Sequence, residues 1–194
     1  MQTLELDLNK RYSYADYLTW FDDKRRELYD GFIKLITPAP SRVHQEISLN
    51  LVTEIKNFLK KKKCKVYNAP FDVRFPKSGI IDDRKIFTVV QPDICIICDI
   101  EKLDVNGCIG APDMIVEIIS PKNSRRDIKD KFQIYEENGV REYWIVHPND
   151  QTVIVFMLDE NSKYKQVGMF ANDEKIQVNI FNGELEIDLT EVFN

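Results

Sequence analysis

Residues 112–148, PDMIVEIISPKNSRRDIKDKFQIYEENGVREYWIVHP, constrain the fold of this chain more than any other stretch. They read as strand, turn, helix, turn, strand. Along PDMIVEIIS a period of two places Asp113, Ile115, Glu117 and Ile119 on one face and Met114, Val116 and Ile118 on the other. An ionised carboxylate among Ile and Val is costly unless a cation or hydrogen-bond donors compensate it. Glu117 therefore requires a basic partner, an opening to water, or a functional role.

The helix that follows supplies one such cation. Ser124 and Asp127 resemble a capping box with Asp in place of Glu, and Asn138-Gly139 supplies the stop. Ile128, Phe132 and Tyr135 define a buried stripe, and Lys131 lies at its border. From there a lysine stem can run along apolar surface and carry its ammonium to the mouth of the sheet. The ordinary alternative is a surface pair with Asp127 at i,i+4.

The preceding strand, VVQPDICIICDI, brings a second acid, Asp93, directly after Pro92. If the two strands are neighbours, Asp93 and Glu117 converge at one end. Two carboxylates on rigid strands make a hard-oxygen site suited to Mg2+ or Mn2+. Taken alone, Asp93 can equally be a turn residue accepting backbone N–H bonds.

Elsewhere the chain is read for organisation. A helix is expected within residues 12–24, with Tyr14, Tyr17, Leu18 and Phe21 at helical spacing, and a hairpin at Asp30-Gly31 whose second strand is stopped by Pro38 and Pro40. Residues 41–62 predict a second helix capped by Ser41, with Val43, Ile47, Leu51, Ile55, Phe58 and Leu59 as its stripe and His44 on the apolar side of its first turn. Strands are expected over 66–75 and 92–100. Residues 76–90 read as a polar, turn-rich loop and 104–110 as another loop. After His147 come four strand-like segments, an antiparallel meander, and a last turn of helix at 189–193.

With 194 residues and 43% hydrophobic content, a single α+β domain over 1–194 is the expectation. No apolar run is long enough to span a bilayer and Met1 opens on mixed polar residues, so a cytoplasmic protein without membrane association is expected. A net charge of −5 argues against a non-specific nucleic-acid coat while leaving room for a local basic groove. Cys95 and Cys98 form a C-x-x-C, but on a strand residues three apart face opposite ways. The four cysteines are therefore read as core thiols rather than a zinc site.

At these residues the chain resembles a known family. Pro92-Asp93 on one strand and a strand-borne Glu117 before a helix look like the PD-(D/E)XK nuclease superfamily. Glu27-Leu28-Tyr29-Asp30-Gly31, Pro38-Ala39-Pro40 with His44, D127-x-x-x-K131-x-x-x-Y135 and GVREYWIV (139–146) narrow this. Together they resemble, in order over about residues 10–150, the Uma-type restriction endonucleases, long catalogued as a domain of unknown function. The resemblance implies a restriction-endonuclease-like fold, a central mixed sheet flanked by helices, here with extra antiparallel strands at the C-terminus. It implies Mg2+-dependent (or Mn2+-dependent) endonucleolytic cleavage of DNA, no organic cofactor, and a homodimer where both strands of a duplex are cut.

Carried over by residue, Asp93 and Glu117 match the metal-binding acids. The superfamily's E-x-K lysine would fall at position 119, where this chain has Ile119, so Lys131 is the candidate for the catalytic amine. Glu27 and His44 match recurrent positions as accessory residues, and Asp113 is a further accessory candidate. Arg125, Arg126 and Lys129 are candidate DNA contacts. The alternative reading is a nuclease-fold module that binds nucleic acid or protein without cutting. Clustering of Asp93, Glu117 and Lys131 favours chemistry; a Lys131 directed to bulk solvent favours the module.

Overall fold

The structure is a computed structural model that describes residues 5–36, 40–120 and 125–194. In chain order, a four-residue helix α1 (Tyr14–Tyr17) precedes the hairpin of β1 (Arg26–Tyr29) and β2 (Phe32–Leu35). The long helix α2 (Arg42–Leu59) leads to β3 (Lys65–Asn68), β4 (Asp72–Phe75), β5 (Thr88–Val90) and β6 (Ile94–Ile97). A short pair, β7 (Leu103–Asp104) and β8 (Gly107–Ile109), precedes β9 (Met114–Ile118), α3 (Arg125–Asn138) and β10 (Glu142–His147). The chain closes with β11 (Thr152–Leu158), β12 (Tyr164–Ala171), β13 (Lys175–Gln177), β14 (Glu186–Asp188) and α4 (Leu189–Val192).

Two six-stranded sheets form, in the orders β2-β1-β5-β4-β8-β7 and β12-β11-β10-β9-β6-β3, with β13–β14 as a separate ribbon. Within the second sheet β9 and β10 pair in parallel, joined by α3, while its other neighbours are antiparallel. Burial on both faces explains the near-continuous apolar runs of β6 and β9. Met114, Val116 and Ile118 pack with α2, α4 and the ribbon (Ile47, Leu51, Leu189, Ile187) in one core. On the opposite face, Cys95, Ile97, Ile115 and Ile145 pack with Tyr135 of α3 and with Val73, Phe75 and Val90 of the first sheet. A third cluster, including Tyr12, Tyr14, Leu28, Ile33 and Val89, covers the outside of that first sheet.

Local signals in the sequence are realised closely. Asp30 and Gly31, both at positive φ (48° and 86°), join strands in which Tyr29 faces Phe32. Ser41 caps α2 by accepting from the His44 amide, and α3 ends at Asn138 before Gly139 at φ 83°. The meander after His147 appears as β11 and β12, followed by the β13–β14 ribbon and α4.

Several expectations are corrected. The first helix is a single turn, closed by a reciprocal Ser13–Asp16 capping box, and Phe21 lies 92% exposed beyond it. Val43 is solvent-facing, and His44, not Val43, begins the buried face of α2. The expected strand over 66–75 is two strands in different sheets, interrupted at 69–71. The expected loop over 76–90 contains β5, which is fully buried between β1 and β4, and 104–110 contains the β7–β8 pair. Strands this short are stabilised by partners distant in sequence, which local periodicity does not display.

Cys64 and Cys98 form a disulfide, replacing the expected free thiols. The β3–β6 register places Lys65 opposite Ile97, so the next pair outward is Cys64 opposite Cys98. Cys95 faces the α3-side core and Cys98 packs against the α2-side core, as strand geometry requires of residues three apart. Cys95 and Cys108 are buried free thiols. The expected Ser124 cap and the Pro38 stop fall outside the described residues. No helix among the described residues is long and apolar enough to cross a membrane.

Candidate active site

The β6–β9 register fixes the two acids. Ile94 lies opposite Val116, so Asp93 lies opposite Glu117 in the next pair outward. Directly opposed side chains on one sheet face have Cβ atoms about 5 Å apart. Asp93 is held there by the Ile118 amide, which donates to its Oδ2 at 2.8 Å. His44, from the first turn of α2, sets its Nε2 3.2 Å from the same oxygen. The His44 Nδ1 is buried with no hydrogen-bond partner among the described residues, so the imidazole is positioned from the Asp93 side.

Glu117 is compensated from α3. Lys131 Nζ donates to Glu117 Oε1 at 2.8 Å, and the Tyr135 hydroxyl donates to the same oxygen at 2.5 Å. Lys131 and Tyr135 are one helical turn apart, so both project from the face of α3 that lies on the sheet. The ammonium is also 3.2 Å from Glu27 Oε1. Glu27 comes from β1 in the other sheet, where it accepts from the Tyr29 hydroxyl at 2.9 Å and the Gln91 amide at 2.8 Å. A single lysine thus links acids of the two sheets, and its side chain is only 16% exposed.

Burial pushes the Glu117 carboxyl up to about 7; Lys131 opposes that rise, while Asp93 and Glu27 add to it. Burial alone would lower the Lys131 ammonium, but Glu117 and then Glu27 outweigh it and hold the amine well above the ordinary lysine value. Lys131 therefore stays charged. His44 follows the same pattern: burial lowers its imidazole, and the Asp93 hydrogen bond and charge raise it above the usual value.

The structure brings Asp93, Glu117 and Lys131 together, with Glu27 and His44 beside them. Lys131 is directed at the acids, not at bulk solvent. Asp113 is not part of this group. It lies four residues before Glu117 along β9, about 13 Å away, where it accepts from the Cys98 amide at 2.6 Å and from Arg141 at 2.5 Å. Arg126 and Lys129 are exposed on α3, Arg126 approaching Asp130 at 3.9 Å; the Arg125 side chain lies outside the description.

Sequence reasoning placed Tyr135 in the buried stripe of the helix and, with Tyr29, among the motifs of the family resemblance, but gave neither a role at the site, and it passed over Gln91. Two of these were within reach of periodicity: Tyr135 is four residues after Lys131, and Tyr29 shares a strand face with Glu27. Gln91 acts through its backbone amide, which no side-chain pattern reveals.

The large mixed sheets, with helices few in number and α3 crossing between the parallel strands β9 and β10, define a restriction-endonuclease-like fold of the α+β type. A protein of Anabaena variabilis ATCC 29413, described as "a putative nuclease belonging to DUF820", has the same fold: TM-score 0.73, 21% identity, with 94% of this chain and 97% of that one covered. The family model for Uma2, described as "Putative restriction endonuclease", matches residues 14–190, and the chain belongs to that family. "Uncharacterized protein slr1290" of Synechocystis sp. (strain ATCC 27184 / PCC 6803 / Kazusa) is 26% identical over 178 residues, covering 83% of this chain and 89% of that protein.

Proposed function

We propose that this protein is a divalent-metal-dependent endodeoxyribonuclease acting at Asp93, Glu117 and Lys131. The observation that carries the reading is the opposition of Asp93 and Glu117 on adjacent strands with a charged, nearly buried Lys131 bonded to Glu117. Family membership supports it.

The acids suit Mg2+ or Mn2+. The hydrogen bonds engage Asp93 Oδ2 and Glu117 Oε1, leaving the second oxygen of each carboxylate without a protein donor among the described residues. Hard oxygen donors of this kind match these ions. When bound, such an ion supplies a water of lowered pKa and neutralises charge on a phosphodiester. The chain's own residues do the rest. The Ile118 amide and His44 fix Asp93, and Tyr135 and Lys131 fix Glu117, so neither carboxylate has to reorganise on binding. Lys131 has three N–H donors. Glu117 accepts one and Glu27 lies in ion-pair range at 3.2 Å, so a further N–H can meet a phosphate oxygen as negative charge develops on it. With a net charge of −5, DNA must be held locally, and the exposed Arg126 and Lys129 on the lysine-bearing helix are the candidate phosphate contacts.

Purified protein, Asp93→Ala and Lys131→Ala are incubated with supercoiled plasmid and Mg2+ or Mn2+. Cleavage by the wild type, reduced about 100-fold or more in each variant, is expected. Equal cleavage by all three, or none by any, overturns the proposal. One observation favours the second reading, DNA binding without cleavage: Ile119 stands where the superfamily's E-x-K lysine would fall. That reading predicts a gel shift in EDTA and an intact plasmid in Mg2+ and Mn2+.

A further inference from the structure

Beside the acids lies a cleft of about 440 Å³ that none of the chemistry above uses. One wall is an aromatic step. Tyr67 and Phe71 stack with ring centroids 4.3 Å apart and planes 9° from parallel, and both line the cleft while packing on the core behind them. The tip of the β7–β8 hairpin, carrying Asp104 and the exposed Asn106, also lines the cleft. Asp72 and Gln91 complete the lining.

The polar atoms are mostly acceptors. Asp72 takes the Tyr14 hydroxyl on Oδ2 at 3.0 Å and the Gln91 amide on Oδ1 at 2.8 Å, and each carboxylate oxygen can accept a second bond. Asp104 accepts from Arg74 and from the Asn106 amide. Two carboxylates disfavour a phosphate here. They suit a planar ring that stacks on Tyr67–Phe71 and turns N–H donors toward the acceptors.

The location sets what that ring belongs to. Gln91 is two residues before Asp93, about 7 Å along extended chain, within reach of a single nucleotide. Ala69, between the two aromatic residues, donates its amide to the Asp93 carbonyl at 3.0 Å. The cleft therefore abuts the strand end that presents the catalytic acid. We propose that it is a nucleobase subsite, taking the base next to the cut phosphate and preferring bases with an exocyclic amine (adenine, cytosine, guanine) over thymine. The inference rests on the nuclease reading for the identity of the polymer, and on the cleft alone for the class of ring.

The test uses the full chain in EDTA, titrated with deoxyadenosine, deoxycytidine, thymidine and inorganic phosphate, and read by amide chemical shifts. Deoxyadenosine and deoxycytidine are expected to shift residues 67–71 and 104–107 and to bind several-fold tighter than thymidine, with phosphate shifting neither segment. Phe71→Leu, which keeps apolar bulk but removes the ring, weakens them about tenfold, and Asn106→Ala weakens them less. Absence of shifts in those segments of the wild type, or equal affinity for all three nucleosides, overturns the subsite without depending on any variant's folding. The two readings fail separately. Nucleoside binding by a protein that cuts no plasmid removes the nuclease reading and leaves a base pocket. Cleavage without nucleoside binding removes the subsite alone.

Discussion

Lys131 lies between two buried carboxylates, so its removal acts on stability as well as chemistry. Lys131→Met leaves Glu27 and Glu117 buried without their shared cation, and breaking a buried pair from one side costs about 3–5 kcal/mol. Urea unfolding of the metal-free protein should show a loss of that order, with Lys131→Met/Glu117→Gln recovering a substantial part of it. A double variant no more stable than the single one contradicts this account. Asp72 gives a pH-dependent counterpart. Burial raises its carboxyl above the ordinary value, against hydrogen bonds from Gln91 and Tyr14. Its folded state therefore keeps a proton that the unfolded chain has lost, and this contribution to stability declines as pH rises from the ordinary carboxylate range through the folded value. Asp72→Asn, neutral throughout, lacks that decline. The stability difference between Asp72→Asn and the wild type should shift in favour of the variant across that window, measured by urea midpoints at a series of pH values.

At the scale of elements, what was legible depended on how local its cause is. The Asp30-Gly31 turn, the Ser41 cap and the α3 stop are set by a few adjacent residues, and each stands where the sequence places it. The two-faced burial of β9 was readable from period two, and it leads directly to Glu117. The split of 66–75 into β3 and β4, and the existence of β5, were not readable, because each is decided by a distant partner: β6 for β3, β1 and β4 for β5. Glu27 emerged as a candidate only through family likeness, and His44 through that likeness and its place on the apolar side of its helix, since their importance comes from Lys131 and Asp93, more than 45 residues away in each case. The β4–β8 pairing shows the same dependence at one glycine. Gly107 faces Asp72 in parallel register at φ 133°, and a Cβ there would stand 2.2 Å from the Asp72 carbonyl oxygen. Gly107→Ala must strain or separate the two strands, and a loss of about 2 kcal/mol or more is expected in urea unfolding. An unchanged midpoint contradicts the pairing.

At the scale of the whole molecule, the site is a junction. Asp93 and Glu117 come from one sheet, Glu27 from the other, and His44 and Lys131 from the helices α2 and α3. The first sheet and α3 share one core against the second sheet, so the acids meet only when these layers are assembled. An ion bound between Asp93 and Glu117 therefore binds the folded chain and not the unfolded one. Such a ligand stabilises by mass action, about 2.7 kcal/mol at a hundredfold excess over its dissociation constant. For a chain of this size that corresponds to a rise in Tm of roughly 5 °C or more. Thermal unfolding in Mn2+ or Mg2+ against EDTA at matched ionic strength should show the rise in the wild type, and chelation should reverse it. Asp93→Asn should abolish it, because the substitution replaces one ligand oxygen with a neutral amide while leaving the Lys131 network intact. Matching ionic strength removes the general screening that any salt gives a chain of net charge −5. A rise of equal size in Asp93→Asn assigns the ion to some other part of the surface and withdraws the metal from this site, whatever the plasmid assay shows.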